Sequence, residues 1–497
     1  METHFIQECL DELLEIKQRI KEYAISKEIN VLEEDAHLSL LNMYHYLKFR
    51  SLERTLLQDK LVKLGLSSLG RSHPHLLDSI NQIIIILSKL QGLEYDKIDN
   101  KLNYDHAYKI LQNNFRIFGE TDKNTNNRFT TKIMITLPSE AAQNDKLIPS
   151  FYKSGAELFR INTAHDTPAD WCIMAKTIQS IESQNPPKIY VDLAGPKIRT
   201  STIFRIKKKT KEYDEYKVFQ GDKILISGTI ESSLLNHALD ASITAYVGCS
   251  NQEVIQYVKV NDKVFIDDGK IELITRQKCD DCIVCEVTRA KLTGTMIRQE
   301  KGINFPDSNI KLEALTDEDQ KNLNAIVPFA DIIGISFCQD KEDVKMLRNL
   351  LLSLNRQDIA IVAKIETKKG VENLPEILEA LIEHGRSGIM IARGDLAIEV
   401  GFENLSVIQE EILNLCEAAH MPIIYATQVL ENLMKTNLPS RAEITDAAFA
   451  QRADCIMLNK GAYADDAIKI LHKILKSMHK LFRKNRQLLS VGVLFKF

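Results

Sequence analysis

The sequence predicts an α/β fold: a (β/α)8 TIM barrel with an inserted all-β lid domain and an N-terminal α-helical domain. Three observations predict it. Eight short β-branched runs lie between residues 131 and 460, most of them separated by 15 to 30 residues of helix-like pattern. The runs are continuously apolar rather than alternating, as in a parallel sheet covered by helices. About a hundred residues between the third and fourth runs have a different, β-rich character.

Taken in order, residues 1–118 read as helical. Segments such as LQDKLVKLGL and LLDSINQIIIILSKL carry apolar residues at three-to-four spacing, and GLSSLGRSHPH marks a turn between them. No motif with chemical meaning falls here, so the region reads as an accessory or dimerisation domain. The polar stretch 119–130 reads as a linker. The first part of the barrel, 131–201, holds TKIMITL (131–137), AELFRIN (156–162) and KIYVDLA (188–194). Residues 202–303 hold YKVFQGDKILISG, VKVNDKVFIDDGKIELITR and CIVCEVTRAK, with Gly and Asp at the turns. An insertion at a βα loop lies over the mouth of the barrel, which makes this one a lid. The second part, 304–484, holds DIIGISF (331–337), AIVAKIE (360–366), SGIMIAR (387–393), PIIYAT (422–427) and CIMLNK (455–460). Ser440 and Glu443 open one of its helices as a capping box. Eight strands of this kind fit a closed barrel of ~250 residues better than an open sheet. Residues 485–497 read as a tail.

The composition is that of an ordinary globular chain: 497 residues, 44% hydrophobic and 27% charged. Sixty-four Lys plus Arg against 68 Asp plus Glu leave a net charge of −4. That balance argues against nucleic acid or an anionic membrane as a partner. The greasiest stretch, Ile83 to Leu87, is five residues long, whereas a membrane span needs ~20. The acidic, interrupted N-terminus is unlike a secretory signal. Nine scattered cysteines do not suggest a disulfide framework. A cytoplasmic location is expected.

In such barrels the chemistry sits at the C-terminal ends of the strands. The two-residue period puts Arg160 and Asn162 on one side of the second strand, and Lys364 and Glu366 on one side of the fifth. The third strand ends in Asp192, followed by a Gly-Pro turn, Lys197 and Arg199. The sixth ends in Arg393, Gly394 and Asp395, and the seventh in Thr427. Singly, each reads as a solvated rim residue. Together they carry a chemistry. Glu366 and Asp395 can hold a hard cation such as Mg2+, which takes one or two carboxylates and leaves its other positions to water and phosphate. Arg160 and Lys364 can grip a phosphate, and Gly394 lets backbone approach an anion closely. That set suits phosphoryl transfer, where catalysis is mostly positioning and electrostatics.

Read together, TKIMITL, ELFRINTAH, VDLAGPKIRT, VFIDDGKIEL, KGINFP, ISF, IVAKIET, IMIARGDLAIEV, ATQVLENLM and RAEITDAAFA resemble the pyruvate kinase family. The resemblance runs from residue 131 to about 480, and the order and spacing of the pieces make it specific. It implies transfer of the phosphoryl group of phosphoenolpyruvate to ADP, giving pyruvate and ATP, with Mg2+ or Mn2+ as cofactor. Carried over by position, Lys364 is the transition-state stabiliser, Glu366 and Asp395 are the metal ligands, and Arg160 contacts the phosphate. The Gly394 and Asp395 amides fall on the substrate carboxylate, and Thr427 lies near the carbon that is protonated. Asn162, His165, Arg199 and Lys301 fall at nucleotide-side positions.

Three departures from the family pattern stand out. The usual potassium site reads Asn162, Ala164, Asp192 and Leu193 here, so two oxygen ligands are gone. Lys197 stands where potassium-requiring members carry Glu, which implies that K+ is not required. The eighth strand ends in Asn459 and Lys460 instead of the usual Ser-Gly-Glu-Thr pattern. The usual C-terminal effector domain has no counterpart, so allosteric activation of the usual kind is not expected. A homo-oligomer formed through the barrel or the N-terminal helices is compatible with the sequence.

Cys279, Cys282 and Cys285 form a C-x2-C-x2-C run, but no fourth ligand is near. At strand spacing Cys282 and Cys285 point to opposite faces, which disfavours a metal site. Two other readings remain open at this stage. One is a Mg2+-dependent pyruvate or oxaloacetate lyase on the same barrel. The other is a catalytically degenerate relative serving as scaffold or regulatory binder. The lyase would share the metal pair and the arginine but would not need the nucleotide-side residues or the large β lid, whereas the intact set Lys364, Glu366, Asp395, Arg160 and Thr427 weighs against the degenerate relative.

Overall fold

Eight strands close into a parallel barrel, as the pattern of apolar runs anticipates. They are β1 (Lys132–Thr136), β2 (Leu158–Asn162), β3 (Lys188–Asp192), β14 (Ile332–Ile335), β15 (Ala360–Ile365), β16 (Ser387–Ala392), β17 (Ile423–Ala426) and β18 (Cys455–Leu458). Their order around the barrel is β1-β18-β17-β16-β15-β14-β3-β2, with every pairing parallel. The structure is a computed structural model that describes residues 2–95, 101–120, 130–205, 212–228, 243–484 and 486–487. The proposed linker and tail lie largely outside the described residues.

The lid strands are β4 (Thr200–Arg205), β5 (Glu212–Tyr213), β6 (Glu215–Val218), β7 (Lys223–Ser227), β8 (Ala245–Cys249), β9 (Lys263–Ile266), β10 (Ile271–Lys278), β11 (Ile283–Arg289), β12 (Thr295–Arg298) and β13 (Ile303–Asn304). Eight of them form one sheet in the order β13-β9-β10-β11-β7-β8-β4-β5, and β12 pairs with β6. The lid has its own core, in which Ile203, Val247, Val264, Leu273, Cys285 and Val287 are buried together. Its two roots are zipped to each other: Arg199 bridges Gly302, and the Ile303 amide donates to the Ile198 carbonyl at 2.9 Å. The lid is thus anchored as one unit at the mouth of the barrel.

The N-terminal region folds into α1 (Glu2–Ile25), α2 (Glu34–Arg50), α3 (Thr55–Lys63), α4 (Leu76–Leu90) and α5 (Tyr104–Phe115). It is part of the barrel's own packing. Phe115, Ile117 and Phe118 join the cluster formed inside the barrel by Met134, Leu158, Tyr190, Val362, Met390 and Ile424. They fill the space that the inward-facing strand residues leave open. Because Phe118 is 1% exposed, Phe118→Ala should lower unfolding free energy by about 3–5 kcal/mol, read by urea denaturation.

A polar seam joins α2 to the barrel helix Leu405–Ala418. Asn42 Nδ2 donates to the carbonyls of His73 (2.7 Å) and Ala418 (2.8 Å), and Ser39 Oγ meets His420 Nδ1 at 2.9 Å. His420 Nε2 lies 2.8 Å from the Pro74 carbonyl oxygen. Burial pushes the imidazoles of His45 and His420 down to about 4 from the usual 6.5. An opened segment therefore takes up protons at higher pH than the closed one. The seam's stability is fully present above pH 6.5 and is lost as pH falls toward 4. Hydrogen exchange, corrected for intrinsic rates, should accelerate in α2 between pH 6.5 and 4.5, and a flat profile would contradict this assignment.

Candidate active site

At the C-terminal end of the barrel, side chains from neighbouring strands meet at one carboxylate. Asp192 ends β3 and is buried. It accepts from Arg160 Nε at 2.9 Å and Nη2 at 2.5 Å, and from Tyr190 Oη at 3.3 Å. Lys364 Nζ of β15 lies 3.1 Å from it. The same ammonium donates to Ser336 Oγ at 2.7 Å and lies 3.3 Å from Glu366 Oε1. Arg160 is steadied on its other edge by Thr136 Oγ1 at 3.0 Å. Room for this knot depends on Gly334 of β14. A Cβ there would sit 2.1 Å from Tyr190 Oη and 2.5 Å from Asp192 Oδ1.

The electrostatics follow from burial and pairing. Burial alone would raise the Asp192 carboxyl, but Lys364 and Arg160 outweigh it and hold Asp192 below the ordinary range. Burial alone would pull Lys364 down, yet Asp192 and Glu366 keep it above the usual lysine value, so it stays charged. Glu366 is pushed up by burial, with the charge of Asp395 adding to the push and Lys364 opposing it. Its Oε2 accepts the Phe337 amide at 2.6 Å.

Asp395 stands in the first turn of helix Arg393–Val400, which starts where β16 ends. Both lid roots reach it. Lys197 Nζ lies 3.0 Å from each carboxylate oxygen, and Asn304 Nδ2 lies 3.5 Å from Oδ1 and 3.2 Å from Glu399 Oε1. Burial pushes Glu399 up to about 7. A cavity of about 420 Å3 is lined by Lys197, Asn304, Phe337, Thr367, Lys368 and Glu399 among others. Burial raises Glu366 and the charge of nearby Asp395 adds to that rise, a pair of acids that suits a divalent cation, which takes hard oxygen ligands.

Arg393 ties β16 to β17. It grips Asp446 in a fork at 2.6 and 2.9 Å and donates to the carbonyls of Ala426 (3.1 Å) and Thr427 (2.5 Å). Thr427 sits at φ 67°, a strained conformation for a β-branched residue. The Gly394 amide donates to its Oγ1 at 2.8 Å, which helps to hold it.

Asn162, His165, Arg199 and Lys301, which the family resemblance puts on the nucleotide side, form a looser, more exposed group. His165 is exposed. Burial of part of its ring and the nearby charges of Lys460, Arg199 and Arg160 lower its pKa, against the opposing charge of Asp166. Arg199 Nη1 donates to the Glu300 carbonyl at 3.1 Å, Asn162 Oδ1 accepts the Ala164 amide at 3.1 Å, and Lys301 Nζ is 3.9 Å from Asp267 Oδ1. Asn459 Oδ1 accepts the Lys460 amide at 2.9 Å. Leu193 turns away from the mouth into the packing around the barrel, and its carbonyl accepts from Ser336 Oγ at 2.6 Å.

Strand-end reasoning singled out Arg160, Asp192, Lys364 and Glu366, which lie in one connected array, and Asp395, which pairs with Lys197 and acts on Glu366 through its charge. It missed Ser336, Tyr190, Thr136 and Asn304. The ISF strand end was the available signal for Ser336. The others are visible only once the strands are side by side.

Residues 128–468 match the family described as pyruvate kinase, barrel domain. The chain is 30% identical over 355 residues to the pyruvate kinase of Clostridium perfringens, covering 70% of this chain and 69% of that one. It is 31% identical over 363 residues to that of Thermotoga maritima, covering 71% of each. With the pyruvate kinase of Methanocaldococcus jannaschii it shares 33% identity over 355 residues, covering 70% and 69%. With its closed barrel and this extent of similarity, the chain belongs to the pyruvate kinase family.

Proposed function

We propose that this chain is an active pyruvate kinase, transferring the phosphoryl group of phosphoenolpyruvate to ADP to give pyruvate and ATP. The observation that carries the reading is Lys364. It is 7% exposed, remains charged, and lies 3.3 Å from Glu366 of the acid pair. A buried cation there is worth far more to a moving negative charge than one in water.

In this reading a β-phosphate oxygen of ADP bonds to the phosphorus of phosphoenolpyruvate as the enol oxygen–phosphorus bond breaks. Lys364 and Arg160 balance the charge that develops on the phosphoryl oxygens and the enolate. Asp192 keeps both cations aimed by pairing with each. Glu366 and Asp395 would hold Mg2+ or Mn2+, which supplies a Lewis acid for the phosphoryl oxygens when bound. The amide of Asp395 binds the substrate carboxylate, while that of Gly394 holds Thr427 Oγ1 beside it. Thr427 orients the proton donated to the methylene carbon of enolpyruvate. Asn162, His165, Arg199 and Lys301 bind the nucleotide, and the lid excludes water that would hydrolyse the phosphoryl group. In a lactate dehydrogenase-coupled assay with phosphoenolpyruvate, ADP and Mg2+, the full chain should form pyruvate in an ADP-dependent way. Pyruvate formation without ADP, or none at all, would refute the assignment.

Lys197 supplies a fixed positive charge to the site, paired with Asp395 at 3.0 Å from each oxygen, in place of the charge that a bound monovalent cation would bring. We therefore expect K+-independent turnover. In buffer free of K+ and Na+ the rate should be at least about half that with added K+, whereas a requirement for K+ would remove this role from Lys197.

A further inference from the structure

Away from the active site, the lid carries a pair of thiols that the phosphotransfer chemistry does not use. β10 and β11 are antiparallel partners, with Lys278 opposite Ile283 and Ile274 opposite Glu286. Continuing the register toward the turn sets Cys279 opposite Cys282 across Asp280 and Asp281. The Cys279 amide donates to the Cys282 carbonyl at 2.8 Å, which closes the hairpin. Residues facing each other across antiparallel strands have Cα atoms roughly 4.5–5.5 Å apart, within the span of a disulfide. The two side chains share a face, because Cys279 packs on the small cluster in which Cys282 is buried with Tyr246, Leu225 and Val284. Cys285 is on the opposite face, in the main lid core. The hairpin is also held in place. Ser227 Oγ and Gln252 Nε2 donate to the Asp281 carbonyl at 2.7 and 3.0 Å, and Lys278 Nζ donates to the Gln256 carbonyl at 2.6 Å.

We propose that Cys279 and Cys282 are a dithiol that closes reversibly into an intra-lid disulfide by exchange with a neutral or cationic low-molecular-weight disulfide. The roles of the two sulfurs differ. Cys279 is half-buried and reachable, whereas Cys282 is fully buried. Burial, the Cys279 thiol beside it and the charges of Asp281 and Asp280 push Cys282 up to about 12. Cys279 therefore attacks first, as thiolate. Its sulfur bonds to one sulfur of the oxidant, and the other leaves as a thiolate that takes up a proton. Cys282 then loses its proton and attacks the Cys279 sulfur, expelling the second small thiol. Two protein thiols are oxidised to one disulfide, and one small disulfide is reduced to two thiols. The acidic turn repels an anionic reagent, so cystamine should react fastest, hydroxyethyl disulfide next and glutathione disulfide slowest. Cys172 on helix Pro168–Gln179 is also half-buried but has no such partner opposite it, and the six other cysteines are buried.

The test uses the reduced full chain, treated under native conditions with each of the three disulfides, quenched by alkylation, digested and weighed. The expected product is a 279–282 peptide lighter by two hydrogens and restored by dithiothreitol, formed in the rate order given. Cys282→Ser should stop at a mixed disulfide on Cys279, and Cys279→Ser should leave Cys282 unmodified in the folded chain. Two separate mixed disulfides in the wild-type peptide, or intact thiols there when Cys172 has reacted, would overturn the proposal. Glutathione disulfide reacting fastest would overturn the assigned reagent class. The wild-type measurement decides the matter even if a variant fails to fold.

Discussion

Lys364→Met should lower turnover by about 10²-fold or more, equivalent to about 2.7 kcal/mol of lost transition-state stabilisation, while substrate affinity changes much less. Methionine approximates the length of the lysine stem and removes the charge. The ammonium lies between Asp192 and Glu366 and donates to Ser336 Oγ, so its loss also leaves two buried acids with less compensation. A stability loss is therefore expected beside the kinetic one. Steady-state kinetics together with phosphoenolpyruvate binding by calorimetry separate the two effects. If kcat is unchanged in a folded variant, Lys364 is not the charge-balancing group.

Glu366→Gln should weaken Mn2+ binding by about 10- to 100-fold, read by electron paramagnetic resonance, and lower turnover at saturating metal by at least as much. Hard-cation affinity follows the number of charged oxygen ligands, and this change removes one of two. The amide carbonyl can still accept the Phe337 N–H, so the local fold should persist. It also removes a charge whose burial, with the Asp395 charge adding to it, outweighs its pairing with Lys364, so thermal stability of the metal-free variant should hold or rise. Unchanged Mn2+ affinity would take Glu366 out of the metal site.

The barrel was legible because its strands are covered on both faces and so read as unbroken β-branched runs such as AIVAKI and SGIMIA. The period of two then aligned Lys364 with Glu366 and Arg160 with Asn162 without any coordinates. The connections around them were not legible. Asp192 is visible in the sequence as a strand end and at the monovalent-cation position, but not as the hub joining Arg160 of β2 to Lys364 of β15. That role depends on which strands are neighbours. Asn304 reaches Asp395 across 91 residues of sequence. The N-terminal helices were evident from their spacing, but their packing was not. Phe115, Ile117 and Phe118 find their partners inside a barrel that begins only at Lys132, and nothing local marks them as internal. Lys460 gave no reading beyond its polarity, and its influence on His165 emerges only where β18 and the loop after β2 come together.

The most direct measurement follows the phosphorus itself. Incubating the full chain with phosphoenolpyruvate, ADP and Mg2+ and recording 31P spectra over time should show the phosphoenolpyruvate resonance replaced, one for one, by the γ-phosphate of ATP. Release of inorganic phosphate in its place, or an unchanged spectrum from folded protein that binds Mn2+, would contradict direct transfer at this barrel mouth.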